Sequence, residues 1–550
     1  MDRRSTRAAI AWAAAWLAIG CTSGPAPTAA KAPERKPNFL LIVADDLGYS
    51  DLGAYGGEIA TPNLDRLARS GATMTQFYAS PFCSPTRAML MSGTDNHQAG
   101  FGDMAELMLP EQRGKPGYEG FLNQRVFALP EVLKSAGYRT VMAGKWHLGV
   151  AEEQSPAARG FDRSYAMVQG GASHFGDQAG IVAVDPTKPP KAIYRENGKP
   201  VDTPRQGFFS SEAFASRVIQ YLDETKGDGS KPFFAYLAFT APHWPLHAPD
   251  ADIAKYENRY DAGYDALRGE RLERMKKLGL VPAATTAYRG HPHWPTWERL
   301  PAEQKRSEAR RMAVYAAMVD HMDRQIGRVL KHLESSGELD NTVVVFISDN
   351  GADGNSVYDV ARTREWIHKD MDNSTANLGR PGSFIEYGPG WAQVGSTPLN
   401  LYKSFMYEGG ISVPAIFWSP RQGIAAQQRT QVGHVMDIAP TIYEMAGARH
   451  PGTSHQGRAL LPVKGRSLVA YLQGKQASVY GPNDVIGWEL GGRKALRKGD
   501  WKIVHANKPW GQDAWELFNI AEDRTESRNL AASRPEKVQE LLAAWKQDVA

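Results

Sequence analysis

The sequence predicts an α/β fold with a smaller α+β subdomain at its C-terminal end, and three observations carry that prediction. Apolar runs of strand length recur along the chain, as expected where both faces of a sheet are covered. They alternate with capped, amphipathic helical stretches, the pattern of helices layered on a sheet. After about residue 460 the texture changes to short strands followed by one helix.

The elements follow in order. "NFLLIV" (38–43) is a continuous apolar strand. "TPNLDRLARSG" (61–71) reads as a helix with Thr61 as N-cap, Pro62 at its first position and Gly71 as its stop. "LPEVLKSAGY" (129–138) is a second capped helix, leading into the strand "RTVMAG". "PFFAYLAF" (232–239) is a strand. Residues 308–337 form a long amphipathic helix, with Met312, Tyr315, Val319, Met322, Ile326 and Leu330 at helical spacing. "NTVVVFIS" (341–348) and "VPAIFW" (413–418) are further strands. The segment 351–400 reads as loop. The charge clusters near 266–277 and 303–311 read as solvated helix faces. Past residue 460, "RKALRKGDWKIVHA" and "AWELFNIAEDRTESRNLA" supply short strands, and a terminal helix starts near 534.

A chain of 550 residues, 42% hydrophobic and 10% aromatic, can bury a sizeable core in one large or two ordinary domains. Its formal net charge of +4 gives no pull toward nucleic acid. Arg3, Arg4 and Arg7 precede the short apolar run "AAIAWAAAWLAIG" and then Cys21, which reads as an export signal over residues 1–20. "LAIGC" resembles a bacterial lipobox, with Ala18 where Leu is usual and Leu17 one position back. A lipidated Cys21 is preferred to an ordinary cleaved signal because residues 21–36, rich in Pro, Ala, Thr and Ser, suit a flexible tether. The expected organisation is thus signal 1–20, tether 21–36, main domain 37–460 and subdomain 461–550, in an exported protein, periplasmic or anchored to the outer membrane through Cys21. The only other cysteine, Cys83, has no intramolecular partner. Its role is either chemical or that of a small buried residue.

Polar groups gather past the carboxyl ends of four predicted strands. These are Asp45-Asp46, Asp349-Asn350, Lys145-Trp146-His147 and Ala241-Pro242-His243. Ligands of open α/β sheets bind at that edge. One such pair is usually a turn; four strands behaving alike are hard to explain as turns. Asp45, Asp46, Asp349 and Asn350 offer hard oxygen atoms, which favour Ca²⁺, or less well Mg²⁺, over Zn²⁺. Arg87, Lys145, His147, His243 and Lys403 add cationic or imidazole groups. A divalent cation ringed by such groups suits an anion like sulfate or phosphate.

These residues carry a resemblance. "CSPTR" (83–87) is similar to the Cys-x-Pro-x-Arg core of the sulfatase signature, and "GYRTVMAGKWH" (137–147) to the second one. "ADDLG", "SDNGA", "APHWP" and the C-terminal "ELFNIAEDRTESRNLA" resemble further sulfatase blocks in the same order. The likeness runs from about residue 37 to the end and is greatest to bacterial arylsulfatases. It implies an alkaline phosphatase-like fold, a large mixed sheet flanked by helices. It implies hydrolysis of a small sulfate ester, with Cys83 converted to formylglycine by a formylglycine-generating or sulfatase-maturating enzyme. A hydrated aldehyde carries two hydroxyls on one carbon: one attacks sulfur, the other expels sulfate. By the same resemblance Asp45, Asp46, Asp349, Asn350 and the modified Cys83 surround Ca²⁺, and Asp349 helps deprotonate the attacking hydroxyl. Arg87 and Lys145 hold the diol, His147 is the base for the second hydroxyl, and His243 with Lys403 serves the leaving oxygen. Two alternatives stay open. One is a phosphodiesterase or phosphonate monoester hydrolase of the same superfamily. The other is a non-catalytic lipoprotein that binds sulfated glycans with Cys83 still a thiol.

Overall fold

The computed structural model describes residues 35–181, 190–202, 206–224, 231–359 and 361–548. The expected export signal, Cys21 and nearly all of the tether lie outside the described residues. The described residues from Lys36 onward pack as one unit.

Ten strands form one mixed sheet: β1 (Asn38–Ala44), β2 (Ala72–Tyr78), β3 (Arg139–Lys145), β4 (Arg163–Met167), β5 (Tyr194–Glu196), β6 (Lys199–Val201), β7 (Phe233–Ala238), β8 (Thr342–Ser348), β9 (Ala415–Trp418) and β10 (Gln427–His434). Their order is β10-β2-β9-β8-β1-β7-β3-β4-β5-β6. The five central strands β8, β1, β7, β3 and β4 run parallel. Antiparallel β9 separates them from the parallel pair β2 and β10, and the hairpin β5–β6 closes the other edge. The period of two along β1 explains its unbroken apolar run. Leu40, Ile42 and Ala44 enter the core on one face, and Phe39, Leu41 and Val43 enter the core on the other. Helices cover both faces, as the sequence pattern requires.

The long helix spans Ala302–Ser335, beginning six residues before its predicted start. All six of its periodic apolar residues are buried. Three expectations need correction. The helix Pro62–Ser70 has Thr61 at its N-cap position, but the Thr61 hydroxyl does not cap it. That hydroxyl accepts from the Gly53 N–H at 3.0 Å and donates to Asp65. The free N–H groups of Asn63 and Leu64 instead donate to the Asp323 carboxylate of the long helix, at 3.1 and 2.8 Å. The segment 351–400 is not all loop, since it holds the helices Ala361–Asp370 and Pro389–Gly395. The cluster at 266–277 is not wholly solvated. Arg271 is fully buried there, paired with Glu58 at 2.8 Å and Asp51 at 2.5 Å.

At the C-terminal end, strands Val485–Leu490, Arg493–Lys498, Trp501–His505 and Trp515–Asn519 form an antiparallel sheet. The helix Pro535–Asp548 sets Leu541 against Leu496, Ile503 and Leu517 of that sheet.

Candidate active site

The site lies where the central parallel strands end. β1 delivers Asp45 and Asp46, β8 delivers Asp349 and Asn350, β3 ends on Lys145 with His147 two residues on, and β7 runs on to His243. The ladder continues past the strands, with Asp45 N–H donating to Ala241 and Asp349 N–H to Ala44, both at 3.1 Å. Asp46 and His147 take left-handed backbone angles, φ 67° and 55°. Such strain persists where the surroundings dictate the conformation, and it turns both side chains inward. Cys83 opens the helix Cys83–Ser92, every residue of which is buried. Lys403 comes from a loop fastened by its own N–H to Ala352 and by Ser404 N–H to Pro81.

A dense ion network results. Arg87 donates from Nε and Nη2 to Asp349 Oδ2 at 2.9 and 2.7 Å, and from Nη1 to the Lys145 carbonyl. Lys145 Nζ bonds both oxygens of Asp45 at 2.8 Å. Lys403 Nζ bridges Asp46 at 2.8 Å and Asp353 at 3.0 Å. His243 Nε2 is 3.4 Å from Asp46 Oδ2. All these groups are buried. Four carboxyl groups therefore face three permanent cations, one negative charge in excess when all four are ionised. Burial, reinforced by neighbouring carboxylates, pushes Asp45 well above the usual carboxylate range and Asp46 up to about 7. For Asp349 burial acts the same way, but the charges of Arg87, Lys145 and Lys403 outweigh it and hold the group low.

Two further facts bear on a metal. The Asn350 Oδ1 is buried without a hydrogen-bond partner, while its Nδ2 donates to Asp46 and to the Gly351 carbonyl. Ligand atoms of Asp45, Asp46, Cys83 and His243 lie within 4.8 Å of one another. A carboxyl group in excess of the cations, an orphaned amide oxygen and clustered carboxylates fit a hard divalent cation.

His147 Nε2 lies 3.2 Å from Glu106 Oε1, and its Nδ1 is buried with no partner. Burial, only partly offset by Glu106, holds His147 below the ordinary histidine value. Burial also pushes the Cys83 thiol up to about 12, although Lys145 and Lys403 pull the other way. These groups line a cleft of about 1120 Å³ whose walls include Phe82, Leu107, Leu109, Trp244 and Trp366. A second cleft, about 450 Å³, lies between β10 and the C-terminal sheet and contains none of these groups.

A sulfatase family model matches residues 37–448. The chain belongs to the sulfatase family. This sulfatase is a sulfuric ester hydrolase, and a second model, described as N-sulphoglucosamine sulphohydrolase, C-terminal, matches residues 400–549. It is 45% identical over 529 residues to an uncharacterised sulfatase of Schizosaccharomyces pombe, covering 94% of both chains. It is 40% identical over 453 residues to the arylsulfatase of Klebsiella aerogenes, covering 81% of this chain and 94% of that one. Among solved structures, Ps i-CgsB in complex with k-i-k-neocarrahexaose superposes with a TM-score of 0.65 at 25% identity, covering 93% of this chain and 92% of that one.

In this sulfatase the structure brings together every residue singled out from sequence: Asp45, Asp46, Cys83, Arg87, Lys145, His147, His243, Asp349, Asn350 and Lys403. Within this cluster the hydrogen bonds of Arg87 and Lys145 go to Asp349 and Asp45. Sequence reasoning missed Glu106 and Asp353. Asp353 holds Lys403 and also accepts from Trp244 Nε1 at 2.8 Å. Its signal was its place four residues after Asp349. Glu106 lies in a segment with no strand-end signal at all.

Proposed function

We propose that the protein hydrolyses arylsulfate-like monoesters through a formylglycine made from Cys83, beside Ca²⁺ held by Asp45, Asp46, Asp349 and Asn350. The observation that carries this reading is the pairing of a buried, unmatched oxygen-ligand cluster with Cys83 at the floor of the cleft. When bound, the cation supplies polarisation of a sulfate oxygen, and the modified side chain supplies paired hydroxyls on one carbon. The remaining work falls to the chain's own groups. Asp349 is held ionised by Arg87, so it is a weak base; its part is to bind the cation and orient Arg87. Glu106 accepts from His147 Nε2–H, which leaves the Nδ1 lone pair free to take a proton at neutral pH. His243 donates its Nδ1–H to the Trp244 carbonyl. Burial, then the charges of Lys403 and Lys145, keep it neutral in the free site. An incoming sulfate ester supplies the negative charge that lets His243 bind a proton at Nε2 and pass it to the leaving oxygen. Lys403 stays cationic between Asp46 and Asp353 and steadies the charge on that oxygen.

The deciding experiment is mass spectrometry of the peptide containing Cys83 from active enzyme. The aldehyde is expected; full activity with an unmodified thiol overturns the reading. Matched sulfate and phosphate esters, assayed side by side, separate it from the phosphodiesterase alternative. The N-terminal sequence further supports export with a lipid on Cys21, which radiolabelled palmitate and cell fractionation test.

A further inference from the structure

Arg493 opens the second strand of the C-terminal sheet and reaches the cleft. It follows the two-residue turn Gly491–Gly492, both at positive φ (57° and 79°), the conformation a tight hairpin demands. Its guanidinium lies over the Phe405 ring, 4.5 Å from the centroid, and Phe405 is itself wedged between Tyr402 and Trp510. Nη1 donates to the carbonyl of Ser404, the neighbour of Lys403. The group is therefore rigid, clamped on one edge and stacked on one face.

No carboxylate answers it. Among the described residues Arg493 forms no ion pair, and burial works against its charge. The acids of the same cleft are engaged or distant: Glu106 with His147, Asp353 with Lys403, Asp103 with the Met104 N–H, while Glu365 and Asp370 stand exposed on the helix Ala361–Asp370. Nε and Nη2 have no partner among the described residues and are not among the buried polar atoms, so they reach solvent on a residue that lines the cleft. A neutral donor would serve the Ser404 carbonyl. A half-buried guanidinium with no counter-charge is costly unless an anion visits it. Its free edge has the planar fork that matches a carboxylate or sulfate.

We propose that Arg493 forms a second anion subsite, which binds a carboxylate or a further sulfate carried by the leaving group of the sulfate ester. This deepens the function proposed above and rests on it. Between the two anions the apolar walls, Phe82, Leu107, Leu109, Trp244 and Trp366, take a flat or apolar body. The substrate class is thus a sulfate monoester of an apolar or aromatic alcohol bearing a second negative charge.

The test compares kcat/KM for 4-nitrophenyl sulfate, 3-carboxy-4-nitrophenyl sulfate and the methyl ester of the latter, with a nitrobenzenediol bis-sulfate as the second-sulfate arm. Wild type should favour the carboxylate over its methyl ester by about tenfold to a hundredfold, the range of charge-assisted hydrogen bonds. Arg493→Gln should bring that ratio close to one, and Arg493→Lys should leave it between, because lysine restores charge without the fork. Equal losses on all substrates would mean that Arg493 only steadies the Lys403 loop, and would overturn the subsite. Absence of sulfatase activity in wild type would defeat the functional reading instead. Calorimetric binding of 3-carboxy-4-nitrophenol needs no turnover, so it tests the subsite by itself. Arg493→Gln should weaken it at least about tenfold, and unchanged affinity overturns the proposal.

Discussion

Replacing Lys502 with methionine should destabilise the protein more than most single substitutions, and the structure says why. Lys502 Nζ lies 2.9 Å from Glu408 and 2.8 Å from Glu526, and none of the three side chains is exposed. Methionine keeps the apolar stem and removes the charge. Glu408 then retains Arg524 at 3.3 Å and the hydroxyls of Tyr78 and Ser412, but two carboxylates share a dry site without their central cation. Breaking a buried pair by removing one partner costs about 3–5 kcal/mol. The penalty should also depend on pH. Burial, with the charge of Glu408 added, pushes Glu526 up to about 8. Burial acts on Glu408 too, but Lys502, Arg524 and Arg497 outweigh it and hold it down to about 2. A carboxyl raised in the folded state, against about 4.3 unfolded, takes up a proton on folding, so its contribution to stability falls as pH rises between those values. Without Lys502 both carboxyls are pushed that way, and the variant should lose most at pH 8 and least near pH 5. Urea denaturation at several pH values measures this, and Lys502→Met/Glu526→Gln should recover part of the loss. A loss below about 1 kcal/mol at pH 8, well short of the cost of an unpaired buried charge, or a penalty that shrinks with rising pH, would refute the argument.

Exhaustive chelation should abolish activity and lower the midpoint of thermal unfolding, with Ca²⁺ restoring both; Asn350→Ala should raise the Ca²⁺ concentration needed for half-restoration, read by calorimetry. His243→Ala should steepen the dependence of kcat/KM on leaving-group pKa, with losses of about 10²-fold or more on the most basic phenols; parallel plots would make His243 structural. Because His147 is held below the ordinary histidine value, its neutral form is lost only as pH falls past that lowered value. The acid limb of the kcat/KM profile should therefore lie below that of a free imidazole, and Glu106→Gln should move it further down. Cys83→Ser should fail to sustain multiple turnovers while keeping the wild-type unfolding midpoint, measured by calorimetry.

Much of this fold was legible because burial on both faces of a parallel sheet leaves an unbroken apolar run, as in "NFLLIV" and "TVVVFIS". The strand-end residues were legible for a related reason: polar groups directly after such runs stand out. What was not legible depended on partners far away in sequence. Thr61 looks like a cap, yet Asp323 does the capping from 260 residues away. Arg271 sits in a run of charges that reads as solvated, and only Glu58 and Asp51 make its burial tolerable. Glu106 and Arg493 reach the cleft from segments whose own patterns say nothing of chemistry. The helix Pro389–Gly395 was hidden because Pro and Gly interrupt its periodicity, and Ala361–Asp370 because its mostly polar and charged run shows little apolar spacing.

The geometry also sets an order of events. Arg87 docks on Asp349, 262 residues downstream, and β1 closes against β8 in a register that pairs Asn38 with Thr342. The helix bearing Cys83 therefore cannot be walled in until that later strand has been made. At about 5–20 residues per second, synthesis of the intervening chain takes on the order of 10–50 s. In the folded protein the Cys83 thiol is 1% exposed, with its proton held tightly. On the function proposed above, a maturation enzyme acting on Cys83 would have to work before that closure. On that same reading, chains that finish folding first would be locked in as well-folded, inactive protein, and the active fraction would report the outcome of that race rather than the stability of the fold.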